Sequence, residues 1–543
     1  MIKKGVSNKV ISNLVKSLLY DVKLKFKETI PDYLIKELKL LDKNTSIYNI
    51  HFPKNNELLS ESIRRLKFEE LLYLQLQLIK KNINRKDKIK GYNFNIVGNN
   101  FNKFYKKVLP FELTNAQKKV LKEIRNDLGS NAQMNRLLQG DVGSGKTIIA
   151  FMTILIALDN GYQACLMAPT EILSVQHFEG FIEMSKLLNI NIVILTGSTK
   201  ASRKKEIYKL LEIGEIDIIV GTHSLIQDKV KFKNLGLAII DEQHKFGVAQ
   251  RSKLWAKSNT PPHILIMTAT PIPRTLAMSA YGDLDISLID ELPPGRKEIT
   301  TVHRFDKNRL SVFKFIKEQI NKGRQIYIVY PLIEESKNMD FKDLMDGYES
   351  LSREFEQPKY QISIVHGRMK AQDKEFEMRR FENKETQILI ATTVIEVGVN
   401  IPNASVMVIE SSERFGLSQL HQLRGRVGRG IHKSYCILMS GNKLSNQSKM
   451  RLKTMTQTNN GFLIAEKDLE IRGPGDIMGT QQSGVIDLKI ADLVSDQKIL
   501  TYARKFAKQI LEDDKSLSKE KNNNLLNTYN HIVKNKDLWS YIG

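Results

Sequence analysis

The hydrophobic and polar positions of the chain change rhythm three times. Up to about residue 105 the spacing is helical, in a Lys- and Asn-rich background. The clearest helix covers 60–80, where Ile63, Leu66, Leu71, Leu74 and Leu78 keep one face and Ser60 and Ser62 are candidate caps. This region is expected to pack against later parts of the chain. Between Phe111 and Glu291 short apolar runs at 164–168, 192–195, 216–220, 237–240 and 264–267 alternate with amphipathic helices. Runs of this kind predict strands of a parallel sheet covered on both faces. A second series follows Pro293-Pro294-Gly295, a linker composition, with runs at 325–329, 362–365, 387–390, 406–409 and 435–438. The polar segment 336–359 inside it reads as helix and loop. From about 442 the pattern is helical again and ends in a charged tail. The expected divisions are 1–105 (helical), 106–291 (first α/β domain), 292–450 (second α/β domain) and 451–543 (helical element and tail).

Composition narrows this picture without changing it. A chain of 543 residues accommodates roughly three or four domains, and 41% hydrophobic residues suffice for packed cores. Lys and Arg exceed Asp and Glu by 83 to 60, a formal charge of +23, which favours a polyanionic partner, nucleic acid before membrane. Cys165 and Cys436 both fall in strand-like runs and read as buried thiols of a reducing compartment. Lys9, Lys16 and Asp21 interrupt any signal-like start. The longest apolar run, near 148–158, is too short to span a bilayer. A cytoplasmic location is expected.

The candidate chemistry begins at Gly140-Asp141-Val142-Gly143-Ser144-Gly145-Lys146-Thr147, which fits G-x-x-x-x-G-K-[ST]. That loop wraps phosphates in backbone N–H groups, with Lys146 for the β/γ-phosphates and the Thr147 hydroxyl for Mg²⁺. Leu137 and Leu138 lead in and an apolar helix leads out, the strand–loop–helix order the motif needs. The chain is therefore expected to bind a nucleoside triphosphate. Asp241-Glu242-Gln243-His244 follows the 237–240 run directly. A carboxylate at the end of a buried strand suits Asp241 to Mg²⁺ and Glu242 to the attacking water. Thr114-Asn115-Ala116-Gln117 reads as a capping box.

Together with Thr268-Ala269-Thr270 and Gln422-Leu423-Arg424-Gly425-Arg426-Val427-Gly428-Arg429, these motifs resemble the superfamily 2 helicases and translocases. Within that group the chain resembles the RecG family of bacterial DNA helicases. The stretches that carry the resemblance are DEQHKFGVAQR at 241–251, TATPIPR at 268–274, GDLDISLIDELPPGR at 282–296, ATTVIEVGVNIPNA at 391–404, QLHQLRGRVGRG at 419–430 and the AEKDLEIRGPGD core of 461–484. The match runs from near residue 5 to near residue 540.

The resemblance implies an α/β fold of two tandem RecA-like domains with parallel sheets, a helical N-terminal region and a C-terminal helical hairpin element. It implies ATP and Mg²⁺, branched or duplex DNA as partner, a single-stranded-DNA-binding protein as a further partner, a monomer, and a place at the nucleoid. Arg426 and Arg429 match the arginines that reach the triphosphate from the second domain, and Arg424 is left as a DNA-contacting turn residue. Phe111 and Gln117 match the adenine-reading positions, beside the capping box that Gln117 also completes. Gly398 and Asn400 belong to the nucleotide site, although many relatives carry Asp where Asn400 stands. Thr268, Thr270, Gln422, Arg472 and Gln481 match positions that couple nucleotide state to DNA movement. Strand contacts are expected from Pro169, Thr170, Gly221, Thr222 and His223, and from Gly367, Arg368, Thr392 and Thr393, because small and hydroxyl residues grip phosphates without reading bases.

RecG proteins normally begin with an OB-fold wedge, and this sequence starts about where the wedge should end. Either the sequence is truncated or the protein works without a wedge. The function implied is ATP-dependent remodelling of stalled forks and Holliday junctions in DNA repair and recombination. An Mfd-like duplex translocase and a non-catalytic, ATP-gated scaffold for branched DNA are the alternatives.

Overall fold

The computed structural model describes residues 7–21, 25–242, 254, 257–258, 260–268, 284–293, 297–331, 337–392, 401–472 and 488–540. They gather into two compact units, one of residues 86–472 and one of residues 7–85 with 488–540.

The larger unit holds two parallel sheets. The first is built from β1 (Asn135–Gly140), β2 (Gln163–Met167), β3 (Ile192–Leu195), β4 (Ile218–Gly221), β5 (Leu235–Asp241), β6 (His263–Thr268) and β7 (Asp285–Ile289), in the order β3-β4-β2-β5-β6-β1-β7. The second comprises β8 (Ile299–Phe305), β9 (Gln325–Val329), β10 (Ile362–Val365), β11 (Ile388–Ala391), β12 (Ala404–Ile409) and β13 (Ser434–Ser440), in the order β10-β11-β9-β12-β13-β8. Strands β1, β2, β4, β5 and β6 are buried at every position, which is why β2, β4, β5 and β6 read as largely continuous apolar runs rather than alternating ones. The Lys146–Asp159 helix is apolar all round for the same reason, being buried from Ile149 to Ala157.

Each expected run falls on a strand, with ends displaced by at most two residues. Both edge strands beside the linker, β7 and β8, were absent from the expectation. Strand β7 pairs only with β1, and β8 only with β13. Each keeps partly exposed positions, and Asp285, Thr300, Thr301 and His303 there, with the buried Ser287, break the apolar signal. The polar segment after β9 forms a helix, Lys337–Glu354. Cys165 in β2 and Cys436 in β13 are buried free thiols. Among the described residues no helix is long and apolar enough to cross a membrane.

The smaller unit is built on the Asn56–Lys88 helix, up to residue 85, with Leu71, Leu72 and Leu76 fully buried. Arg65 is also fully buried, bonded to Glu28 and, at 2.6 Å, to Glu69. The C-terminal segment packs on the same helix. Lys67 pairs with Asp496 at 2.8 Å, Arg504 donates to Gln75 at 2.8 Å, and the rings of Phe68 and Phe506 meet edge to face. The Glu70 carboxylate accepts the backbone N–H groups of Lys489, Ile490 and Ala491. The N-terminal helices thus find their partners at the far end of the chain.

One buried histidine gives the larger unit a pH dependence. His263, at the start of β6, accepts from the Met134 N–H at 2.9 Å and lies 2.8 Å from the Tyr92 carbonyl. Burial pushes its ring down to about 4, against the opposing pull of that carbonyl. The unfolded ring titrates near 6.5, so between the two values only the unfolded chain takes the proton. Stability is complete above pH 6.5 and falls as the pH drops through the window, by about 2–3 kcal/mol at pH 4.5. Denaturant unfolding of His263→Gln, compared with the unaltered chain at pH 7 and pH 4.5, should show the smaller loss in the variant; equal losses would refute the assignment.

Candidate active site

Strand β1 ends at Gly140, and the chain turns through 141–145 into the Lys146–Asp159 helix. Gly143 and Gly145 adopt φ of 76° and 89°, a left-handed backbone that glycine reaches without steric cost. The turn aims a helix N-terminus into the loop, a disposition suited to an anion. Lys146 Nζ donates to the carbonyls of Gly140 at 2.8 Å and Asp141 at 2.9 Å. Burial lowers the lysine pKa, opposed by Glu242, Asp241 and Asp141 and reinforced by the positive charge of Arg429. Thr147 is half-buried beside it.

The capping box is formed. Thr114 Oγ1 accepts from the Gln117 N–H, and Gln117 Oε1 accepts from the Thr114 N–H at 2.9 Å. The other end of the Gln117 amide donates to the Ser144 carbonyl at 2.8 Å, so this glutamine braces the phosphate loop directly. Phe111 upstream is 39% exposed.

Asp241 and Glu242 are buried at the end of β5. Asp241 Oδ2 lies 2.8 Å from His177 Nε2, on the Glu171–Ser185 helix. Burial would raise the Asp241 carboxyl, but the His177 hydrogen bond and charge, with Lys146 beyond, hold it below the usual carboxylate range. Glu242 has φ +53°, uncommon for a residue with a side chain, and its N–H donates to the Met267 carbonyl at 3.0 Å. Thr268 ends β6, paired with Gln139 of β1, which brings the three strand ends to one edge. His177 was missed in the sequence, where it is one of several polar residues of the Glu171–Ser185 helix with no spacing to mark it.

The second sheet delivers the arginines. The Leu417–Arg424 helix, with Gln422 buried, leads into Gly425-Arg426-Val427-Gly428-Arg429. A Cβ on Gly425 would stand 2.8 Å from the Val142 Cβ, so the turn rests against the phosphate loop at a distance only glycine permits. Arg426 is buried and Arg429 half-buried, with Arg429 Nε donating to the Gly425 carbonyl at 3.2 Å. Both arginines act on the buried Tyr327 of β9, whose phenol burial pushes up and their charges pull down.

Arg424 is a correction to the sequence reading. It is 2% exposed and donates to the carbonyls of Met455 at 3.0 Å and Thr458 at 2.9 Å, so its guanidinium is spent inside the protein. Its flanking glycine and arginines made it look like part of an exposed basic turn.

The expected strand-contact residues stand at the C-terminal ends of β2, β4, β10 and β11, the same edge of each sheet. Pro169 and Thr170 precede the Glu171–Ser185 helix, which Thr170 caps by accepting from the Leu173 N–H. Gly221 ends β4, Thr222 is buried against Ser224, and His223 is exposed. Gly367 and Arg368 are exposed after β10, and Thr392 is buried after β11. Arg472 ends the Gly461–Arg472 helix. Thr270, Thr393, Gly398, Asn400 and Gln481 lie outside the described residues, as do Gln243, His244 and Ala269.

Comparison with known proteins agrees with this geometry. Residues 114–279 match the DEAD/DEAH box helicase family, 310–430 the helicase conserved C-terminal domain, and 458–543 the C-terminal part of domain 3 of ATP-dependent DNA helicase RecG. The chain is 48% identical over 493 residues to the ATP-dependent DNA helicase RecG of Synechocystis sp., covering 91% of this chain and 59% of that protein. With the RecG of Bacillus subtilis it shares 44% over 513 residues, 94% of this chain and 75% of the relative. A solved structure of RecG bound to a three-way DNA junction superposes with a TM-score of 0.68 at 42% identity, over 92% of this chain and 65% of that one. The chain thus spans about three fifths of the Synechocystis relative. On the identity and coverage shared with the Bacillus protein, it belongs to the RecG family.

Proposed function

We propose that this chain is an ATP-driven DNA translocase and helicase that remodels stalled replication forks and Holliday junctions in repair and recombination. The observation that carries the reading is the seating of the arginine turn on the phosphate loop, Gly425 against Val142, with the Arg429 charge felt at Lys146. A pocket begun by one sheet and finished by another ties hydrolysis to relative movement of the two, the requirement for a motor.

The residues present fit a Mg²⁺-bound triphosphate. The left-handed glycines and helix N-terminus offer backbone N–H groups, Lys146 a cation, and Asp241 a carboxylate held ionised. Thr147 and Asp241 would hold Mg²⁺, which neutralises phosphate charge when bound. Lys146 exchanges the Gly140 and Asp141 carbonyls for the β/γ-phosphates. Glu242 orients the attacking water and takes its proton. Arg426 and Arg429 spread the charge that develops on the transferring phosphoryl group. Gln117 reads adenine, beside Phe111, by giving up the Ser144 carbonyl for the base edge, while Gly398 and Asn400 complete the pocket.

DNA is gripped at the strand-end edge of both sheets, by the loops at 169–170, 221–223, 367–368 and 392–393. Burial, Lys374 and Arg368 all push the His366 ring down, which marks a positive field beside Gly367, as phosphate contacts need. The junction-bound relative supports branched DNA as the partner. Thr268, Thr270, Gln422, Arg472 and Gln481 carry the nucleotide state to the DNA. The family likeness extends the reading to a monomer at the nucleoid, brought to forks by a single-stranded-DNA-binding protein.

ATP hydrolysis measured without DNA and with linear single strand, linear duplex, a four-way junction and single-stranded RNA should be highest on junction or duplex DNA. A maximum on RNA would reject the reading. Lys146→Ala should abolish turnover. Arg429→Ala should lower kcat by about 10³-fold or more while ATP binding persists; a variant that keeps its rate would remove that residue from the site.

A further inference from the structure

Asp141 lies where the phosphate loop meets the second sheet, and its backbone and side chain serve different partners. Its carbonyl accepts from Lys146 Nζ at 2.9 Å. Its carboxylate accepts from the Val142 N–H at 2.7 Å, from His421 Nε2 at 2.6 Å, and from the backbone N–H of Gly461 at 3.3 Å. On the other side of the imidazole, Arg424 Nη2 stands 2.9 Å from His421 Nδ1. A guanidinium can only donate, so Nδ1 is the acceptor and Nε2 carries the proton toward Asp141. The tautomer is set by the two neighbours. His421 is 4% exposed and sits on the Leu417–Arg424 helix, five residues before Arg426.

We propose that Asp141 and His421 are positioning residues for ATP hydrolysis, a carboxylate–imidazole pair that registers the arginine-bearing turn on the phosphate loop. The proposal rests on the ATP-hydrolysis reading above and assigns a role to two side chains that reading leaves unused. Two further contacts join the loop to the second half of the unit. One is the apolar meeting of Val142 with Gly425, which resists compression and does nothing against sliding. The other is the longer bond from the Gly461 N–H. Directional hydrogen bonds add register, and the one from His421 is short, at 2.6 Å, and made by a buried imidazole. Its position matters because the same peptide holds Lys146. When a triphosphate draws the ammonium off the Asp141 carbonyl, that carbonyl keeps the Ser144 N–H at 3.1 Å and the Asp141 side chain stays tied to His421. The arginine-bearing turn therefore keeps its register on the loop as the lysine leaves its resting partners.

The test combines His421→Ala, Asp141→Asn, the double variant and His421→Gln. Glutamine can still donate toward Asp141 and accept from Arg424. Two quantities are read on the full chain: kcat of junction-stimulated ATP hydrolysis, and equilibrium binding of a fluorescent ATP analogue. His421→Ala should lower kcat about 10–100-fold with analogue affinity held within about threefold, as for groups that orient rather than touch the reactants. The double variant should be no slower than the worse single, and His421→Gln should recover most of the rate. An unchanged kcat in His421→Ala, multiplying losses in the double variant, or analogue binding lost in step with kcat would each overturn the proposal. Absence of turnover in the unaltered chain would instead reject the ATP-hydrolysis reading, and this proposal with it.

Discussion

The catalytic geometry depends on how closely the arginine-bearing turn approaches the phosphate loop. Gly425 lies where any side chain would strike Val142, so the turn reaches the loop only because the chain carries glycine there. From that contact the positions of Arg426 and Arg429 follow by chain geometry, one and four residues on. A pocket divided between two sheets has a physical advantage over one built on a single sheet. In the function proposed, its cationic half would withdraw from a triphosphate as a body, so that bond cleavage and movement share one coordinate.

Around this contact the polar groups are spent inside the protein. Lys146 rests on two carbonyls of its own loop, Gln117 braces Ser144, and His177 holds Asp241. Buried polar groups left unpaired cost about 1–3 kcal/mol each, so such bonds keep the resting site at low cost. They also set what a nucleotide has to displace. The exception is Glu242, held at φ +53° by its N–H bond to the Met267 carbonyl. A left-handed side-chain residue costs on the order of 1–3 kcal/mol and persists only where the surroundings impose it. That the imposed residue is the expected water-orienting carboxylate agrees with its being set in place by the sheet and not by its own preference.

The sequence made the buried machinery legible where local pattern and chemistry coincide. Continuous apolar runs gave the inner strands because parallel strands are covered on both faces, and the glycines and lysine of the phosphate loop follow such a run directly. The capping box at Thr114 was readable because cap chemistry is local; the second bond of Gln117, to a loop 27 residues away, was not. Strands β7 and β8 escaped because an edge strand needs only one buried face, and their polar positions broke the signal. His177, His421 and Arg424 escaped for another reason. Each takes its meaning from a partner brought close by folding: Asp241 64 positions from His177, Asp141 280 positions from His421, and Met455 31 positions from Arg424.

The smaller unit extends this lesson to a whole element. The Asn56–Lys88 helix shows a helical stripe that predicts a buried face but cannot say what covers it. The answer lies more than 400 residues later, where Asp496, Arg504 and Phe506 meet Lys67, Gln75 and Phe68. A contact closed over so long a stretch pays a loop entropy that grows only logarithmically with length, so distance in sequence is a weak barrier to such pairing. Specificity has to come from the contacts themselves. Glu70 meets it by accepting three successive backbone N–H groups, a geometry that a segment displaced by one residue would not satisfy. The fully buried Arg65, its terminal nitrogens paired with Glu28 and Glu69, does the same within the N-terminal helices, because a buried charge tolerates no arrangement that leaves it unpaired.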